Sequence, residues 1–366
     1  MGSFRRQQSD DIRVVVGIDD NASDNLYLPP NLDYKKAISD YLNQMKRVIE
    51  VTLDKRWPGL KLSQVLFVLC VPAKWRSYSK AIMRDCAYKA GLLNESIASR
   101  LLFITESEAA AIYCLSVIKE HKLTVGGWYL NLTWSLFPDT FLVVDCGGGI
   151  VDLTMRTLLP GNKLKKETVE TGNICGSTYV DQGFLHFMGS TVGFTALQRL
   201  RSYAYGDLQK LVHRFFIEIV KLPFTGDPDE FETIELDLER DCPSLIKYIT
   251  GAERINLEYN EWIIELEFET VKKMFDPVIG KIIELINNQL LDLTIKPVKR
   301  KCKAMFLVGG FSESPYLRKR VREMFQESVP IIAFPRQPVT AVVRGAVKYG
   351  LDMGQVESLV LNESTE

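Results

Sequence analysis

Three glycines between two aspartates form the strongest chemical pattern in this 366-residue chain. The run Val143–Asp152 reads VVDCGGGIVD, and its apolar start predicts a buried strand that ends at Asp145. Consecutive glycines weaken regular structure by about 0.5–1 kcal/mol each relative to alanine, but they let a ligand approach the backbone N–H groups. Such N–H groups suit phosphate oxygens, and Asp145 and Asp152 are placed to hold a hydrated Mg²⁺. A tight hairpin with solvated aspartates is the alternative interpretation.

Two further glycine turns follow predicted strands. The sequence FLVGGF places Gly309 and Gly310 between a strand and a helix, and ETGNICGS places Gly176 and Ser177 before another helix. One such turn is common in any α/β protein. Three of them at strand ends indicate a cleft that holds a nucleotide between two lobes.

Alternating β-branched runs and amphipathic stretches predict the α/β fold that would position these turns. The main strands are predicted at residues 13–18, 65–71, 101–105, 141–145, 150–158 and 305–308, with weaker ones at 231–238 and 262–266. Helices are predicted at 33–56, 77–90, 106–119, 177–188, 207–220, 269–289 and 339–350, and from Ser314-Pro315 onward. The aromatic stretch Thr124–Pro138 has no clear period and fits a hairpin, a partner-binding patch or an insert.

The composition excludes several classes of protein. Forty-five basic and 46 acidic residues leave a net charge of −1, so neither nucleic acid nor an anionic membrane is an expected partner. No apolar run reaches the roughly 18–20 residues of a membrane span, and the N-terminus lacks a signal-peptide core. We therefore expect a cytoplasmic protein. Seven scattered cysteines without a C-x-x-C pair and three isolated histidines argue against disulfides, zinc centres and His-based triads.

The order of the motifs resembles the nucleotide-binding domain of the heat shock protein 70 family, within the actin-like ATPase superfamily. The similarity is strongest to a divergent branch without a recognisable peptide-binding domain, and it covers nearly the whole chain. Five segments carry it, namely RVVVGID, VPAKWRSYSKAIMRDCAYKAGL, ITESEAAAIYCL, VVDCGGGIVD and MFLVGGFSESPYLRKRV. The resemblance implies a two-lobed, ribonuclease H-like α/β fold that binds ATP or ADP with Mg²⁺.

The resemblance also implies domain limits. Lobe one would comprise residues 1–138 together with a C-terminal helix at 336–352. Lobe two would comprise 139–335 and would contain a small inserted subdomain at about 190–290.

Site roles are implied for individual positions. Asp19 and Asp145 match the carboxylates that organise Mg²⁺ through its waters, and Glu106 matches the acid beside the attacking water. The phosphates would be contacted by the backbone of Gly147, Gly148 and Gly149, and Asp152, Gly176 and Ser177 would also bind the nucleotide. The adenosine would be covered by the helix that carries Glu218 and Lys221, above the turn of Gly309 and Gly310.

Several positions depart from the family pattern. Asp20-Asn21-Ala22-Ser23 follows Asp19 where the family has Gly-Thr-Thr, so the first phosphate hairpin is missing and lobe one is incomplete. Ile150 replaces a threonine hydroxyl, and Leu222 and Glu313 replace arginines near the adenosine. Phosphoryl transfer depends mainly on positioning and charge stabilisation, so we expect hydrolysis to be impaired.

Three alternatives stay open at this point. The chain could be a catalytically dead pseudo-ATPase that acts as an interaction module for a protein partner or client. It could be a small-molecule kinase of the same superfamily, although we find no candidate catalytic aspartate in lobe one. It could also be an inactive truncated product without a stable fold.

Overall fold

The computed structural model describes residues 33–72, 75–94, 100–119, 124–125, 128–129, 140–159, 163–168, 171–295 and 301–351. The predicted strand Arg13–Ile18 and Asp19 lie outside the described residues. The fold is mixed α/β, as predicted, and is consistent with an actin-like ATPase. The chain divides into a first unit of Met1–Tyr113 with Val342–Glu366, and a second unit of Cys114–Ala341. The lobe boundaries given above stay predictions.

The first unit contains a parallel pair of strands and amphipathic helices. Its elements are α1 (Tyr34–Arg56), β1 (Phe67–Val71), α2 (Ser77–Lys89), β2 (Leu101–Thr105), most of α3 (Glu106–Lys119) and most of α12 (Ala341–Leu351). The helix α1 begins where the sequence predicts, because the carboxylate of Asp33 accepts the Lys35 and Lys36 N–H groups at 3.1 and 3.2 Å. The helix α2 also begins at its predicted residue, Ser77, but Arg76 precedes it without a side-chain cap.

The strand β1 is less buried than its sequence predicts. The apolar run 65–71 indicates a strand covered on both faces, but β1 begins at Phe67 and only Val71 is fully buried. Within the described residues β1 pairs only with β2, with Phe67 opposite Leu101. A strand with one paired edge leaves part of its backbone open to solvent.

We therefore predict that the amides of Val68–Cys70 exchange with solvent much faster than those of Leu142–Val144. The latter lie in a strand that is buried and paired on both edges. Amides that open only by global unfolding exchange most slowly. Hydrogen exchange followed by mass spectrometry measures this, and equal protection of the two segments would show that the β1 edge is covered.

The second unit contains a six-stranded mixed sheet. Its strands are β5 (Thr140–Cys146), β6 (Val151–Leu159), β7 (Lys163–Lys166), β8 (Thr171–Asn173), β11 (Ala304–Val308) and β12 (Ile331–Ala333). The order is β12-β11-β5-β6-β7, with β8 also paired to β6. β11 runs parallel to β5 and β12, whereas β5 and β6 form an antiparallel hairpin. The polar sequence of Pro160–Lys166 predicts a turn, which is wrong in part, because 163–166 form a strand beside β6.

The second unit also contains eight α-helices and two short pairs of strands within the described residues. The helices are α4 (Thr178–Val192), α5 (Phe194–Tyr203), α6 (Tyr205–Lys210), α7 (Leu238–Asp241), α8 (Pro243–Ile246), α9 (Gly251–Tyr259), α10 (Phe268–Ile295) and α11 (Pro315–Phe325). Two short antiparallel pairs are β3 (Thr124–Val125) with β4 (Trp128–Tyr129), and β9 (Ile234–Asp237) with β10 (Ile263–Leu266). Side chains of the sheet, α4 and α10 share one buried core.

A predicted α-helix also departs from its type. The pattern at Asp207–Val220 predicts an α-helix, but α6 ends at Lys210 and an 11-residue π-helix follows at Leu211–Lys221. Its wider hydrogen-bonding pattern is seen where the Leu222 N–H donates to the Ile217 carbonyl at 3.0 Å. π-Helical segments occur frequently at functional sites. No helix in the described ranges is both long and apolar enough to span a bilayer.

Candidate functional site

The glycine triplet forms the turn of the β5–β6 hairpin. The Gly147 N–H donates to the Ile150 carbonyl at 3.1 Å, which closes a four-residue turn with Gly148 and Gly149 exposed at its tip. Within the described part of the chain, the N–H groups of Gly148 and Gly149 have no hydrogen-bond acceptor. Two adjacent backbone donors at an exposed turn suit an anionic oxygen.

A second turn holds the glycine triplet in place. The carbonyl groups of Gly147–Gly149 accept hydrogen bonds of 2.9–3.1 Å from the N–H groups of Gly176–Thr178. The two loops are so close that a Cβ on Gly176 would overlap the Gly148 carbonyl group. The first N–H groups of α4 are therefore already used by the protein. Within the described residues, the N–H groups of Gly148 and Gly149 at the exposed tip stay available to an anion.

Two carboxylates lie beside the turn. Asp145 and Asp152 are directly opposite each other in the antiparallel register, so their side chains share one face of the sheet. Gly172, opposite Asp152 on β8, has no space for a side chain because a Cβ there would overlap the Asp152 carboxylate. Sequence reasoning did not single out Gly172, although it lies in the same ETGNICGS run as Gly176.

The third glycine turn meets the first at Asp145. Val308 of β11 pairs with Asp145 of β5, and Gly309 follows with a φ of +82° that favours glycine. A Cβ on Gly309 would lie 2.5 Å from the Cys146 carbonyl and would overlap the Asp145 carboxylate. Gly310 is exposed, and its nearest neighbour would be Val339. The parallel pairing of β11 with β5 therefore brings two distant motifs together.

Two of the predicted site residues, Glu218 and Lys221, lie on the π-helix, and only the second of them is buried. Glu218 is exposed, whereas the Lys221 side chain is 9% exposed and its amine donates to Asp181 at 2.6 Å and to the Ser177 carbonyl at 2.7 Å. Burial lowers the pKa of the Lys221 amine and raises the pKa of the Asp181 carboxyl. Sequence reasoning missed Asp181, because its partner is 40 residues away along the chain.

The structure also describes the three positions Ile150, Leu222 and Glu313, which depart from the family pattern. Ile150 is half-buried, and its carbonyl group accepts the hydrogen bond from the Gly147 N–H that closes the turn. Leu222 and Glu313 are both exposed. Neither side chain can supply the positive charge that the family pattern would place there.

Apart from Glu218, Lys221 and Gly310, described above, the predicted site residues divide into three groups. The second unit brings together Asp145, Asp152, Gly309 and the two turns Gly147–Gly149 and Gly176–Ser177. Glu106 is the first residue of α3 and belongs to the first unit. Asp19 lies outside the described residues. The site roles assigned from the sequence all stay predictions.

The residues present fit a phosphate with a hydrated Mg²⁺ better than a metal held by protein alone. No group of three or more His, Cys, Asp or Glu side chains within the described ranges has the arrangement of a metal centre. Mg²⁺ needs only one or two carboxylates, since it keeps several waters and takes further oxygens from a phosphate. Asp145, together with the N–H groups of Gly148 and Gly149 that have no acceptor among the described residues, meets that requirement.

Comparison with known proteins gives three relatives of the same kind. No family model matches the chain. Heat shock 70 kDa protein 12A from Mus musculus and from Homo sapiens are each 28% identical over 352 residues, which cover 82% of this chain and 50% of theirs. Heat shock 70 kDa protein 12B from Homo sapiens is 26% identical over 349 residues, which cover 80% and 49%. The chain spans about half the length of these relatives, and as their homologue it is related to the heat shock protein 70 family, as its motifs predict.

Proposed function

We propose that this chain is a chaperone-like nucleotide-binding protein that binds ATP or ADP with Mg²⁺ and hydrolyses ATP poorly. The observation that supports the proposal most strongly is the Gly147–Gly149 turn. Its two central N–H groups have no acceptor within the described residues, whereas its three carbonyl groups are all bonded to the neighbouring turn. A turn fixed in this way offers donors that need no rearrangement before they meet a phosphate.

Asp145 would bind the hydrated Mg²⁺ ion beside the phosphate site. Its carboxylate lies so close to Gly309 that any side chain at that position would overlap it, and glycine there keeps the carboxylate in place. The chemistry that a Mg²⁺ ion would supply there, when bound, is neutralisation of the phosphate charge. Asp152, only 9% exposed, would act through hydrogen bonds rather than by direct coordination.

Impaired hydrolysis follows from the side chains that are replaced. Ile150 has no hydroxyl group, and Leu222 and Glu313 bring no cation to the adenosine side. The proposal extends to a cytoplasmic location and to a protein partner or client, both taken from the family resemblance. Because the chain spans about half of its relatives, a chaperone activity of the whole protein belongs to this proposal as well.

The substitution Gly148→Val tests the phosphate site. A Cβ at Gly148 would lie 3.8 Å from Thr178 Cγ2, an ordinary contact, and the backbone there is not left-handed. The side chain therefore fits the fold but fills the space in front of the N–H donors. We expect Mg·ADP affinity to fall by about 100-fold or more, equal to ~2.7 kcal/mol, while the free energy of unfolding changes by less than about 1 kcal/mol.

The matched control is Gly206→Val, an exposed glycine on α6 with open space around it. It makes the same substitution in the same unit, and it should leave Mg·ADP affinity unchanged. Isothermal titration calorimetry measures the affinity, and urea denaturation measures the stability. Gly148→Val binding as tightly as the parent would mean that the glycine triplet is only a hairpin turn.

A further inference from the structure

A buried ion pair links the end of the π-helix to the start of α4. The side chains of Lys221 and Asp181 are 9% and 11% exposed, and their charged groups are 2.6 Å apart. The second unit also contains an exposed pair on the preceding helix, Lys210 with Asp207 at 3.0 Å, whose side chains are 61% and 37% exposed. The two pairs are alike in chemistry and differ in burial.

Burial makes the Lys221–Asp181 pair a poor source of stability. Two charges removed from water lose solvation that their mutual attraction barely offsets, and apolar residues of similar volume often serve as well. Such pairs are found to fix a particular arrangement in some proteins. The relevant question is therefore which arrangement this pair fixes.

The hydrogen bonds of Lys221 lead, through Ser177, to the Gly147–Gly149 turn. Its amine donates to the Ser177 carbonyl at 2.7 Å, and the Ser177 N–H donates to the Gly147 carbonyl at 3.1 Å. Asp181, on the first turn of α4, holds the other side of the amine. An unbroken series of hydrogen bonds thus joins the π-helix, through Ser177, to the turn whose tip carries the free N–H groups of Gly148 and Gly149.

We infer that Lys221 and Asp181 are positioning residues that hold the Gly147–Gly149 turn in its anion-binding shape, and that Lys221 does not itself contact the nucleotide. The amine already has two acceptors and is shielded from solvent, so a ligand would have to displace Asp181 to reach it. This inference rests on the proposed function for its binding consequences. It departs from the role that the family resemblance implies for Lys221.

The test compares Lys221→Met with Lys210→Met, which removes the lysine of the exposed pair. The amides of Ser177 and Thr178 donate to the Gly147–Gly149 turn, so their hydrogen-exchange rates measure how firmly that turn is held when no ligand is present. We expect Lys221→Met to speed exchange there by tenfold or more with little change at Leu307 and Val308, and Lys210→Met to change none of these amides.

Ligand binding then separates positioning from direct contact. Pyrophosphate carries the phosphate chemistry without a nucleoside, so a positioning role predicts that Lys221→Met weakens pyrophosphate and Mg·ADP by the same factor, about tenfold or more. A direct contact with the nucleoside predicts weaker Mg·ADP and unchanged pyrophosphate, and that result would overturn the inference.

Two further outcomes are decisive. If the parent protein binds neither pyrophosphate nor Mg·ADP, the proposed function fails, and the exchange rates of Ser177 and Thr178 alone decide whether Lys221 positions the turn. If Lys221→Met does not fold, Lys221→Met combined with Asp181→Leu removes both charges and restores an apolar contact. Unchanged exchange at Ser177 in that folded double variant would refute a positioning role.

Discussion

Mg·ATP turnover by this chain is expected to be undetectable, and Mg·ADP is expected to bind only weakly. The described part of the site offers two backbone donors and one half-buried carboxylate, Asp145. The family pattern would add a hydroxyl at Ile150 and cations at Leu222 and Glu313. Each charge-assisted hydrogen bond contributes roughly 1.5–3 kcal/mol, so the absence of two weakens binding by about two to four orders of magnitude.

A thermal-shift series with Mg·ADP, Mg·ATP and no nucleotide, followed by a phosphate-release assay, measures both parts of this expectation. A ligand at 100 times its dissociation constant adds about 2.7 kcal/mol of stability, which a melt detects readily. Tight ATP binding with measurable phosphate release would contradict the expectation of a damaged site. A cooperative melt that neither nucleotide shifts would favour the pseudo-ATPase interaction module.

The substitution Gly345→Ala is expected to destabilise the first unit by about 3 kcal/mol or more. Gly345 lies on α12, and a Cβ there would overlap the carbonyl group of Ala109 on α3. Ala109 is fully buried, and a backbone group cannot rotate away as a flexible side chain does. Overpacking of a core usually costs about 1–3 kcal/mol, and contact with fixed backbone belongs at the upper end of that range.

The control is Gly280→Ala on α10, an exposed helical glycine with open space around it. The same substitution there should raise stability by about 0.5–1 kcal/mol, because alanine is the better helix former. Urea denaturation gives the two free energies of unfolding, and hydrogen exchange within 106–113 compared with that of Leu142–Val144 shows whether the loss at Gly345 is confined to the first unit. Equal effects of the two substitutions would mean that α12 does not pack closely on α3.

The elements with clear periodicity were predictable from the sequence. Asp33 before an amphipathic run predicts the start of α1, and Ser314-Pro315 predicts the start of α11, where the Ser314 side chain accepts the Leu317 N–H at 3.3 Å. The strand β2 was predicted with the bounds that it has. Capping and periodicity act between residues close in the chain, so a short window of sequence contains the information.

Departures occur where a neighbour decides the outcome. A lysine-rich segment at 163–166 forms a strand only because β6 offers it an edge, and β1 is less buried than its composition indicates. The π-helix at 211–221 was also not predictable, since its apolar pattern is compatible with an α-helix. For the two strands the deciding factor is an adjacent element of the fold rather than the local propensity of the segment.

The sequence by itself determined the chemistry available at the candidate site: glycine turns at strand ends, two aspartates beside one of them, and an order of motifs that resembles one family. Only the tertiary structure decided how those residues are used. The register of β11 on β5 places Gly309 against Asp145, and the packing of α4 on the π-helix buries Lys221 against Asp181. Spacing along the chain fixes which groups are present, but hydrogen bonds between distant segments fix which of them remain free for a ligand.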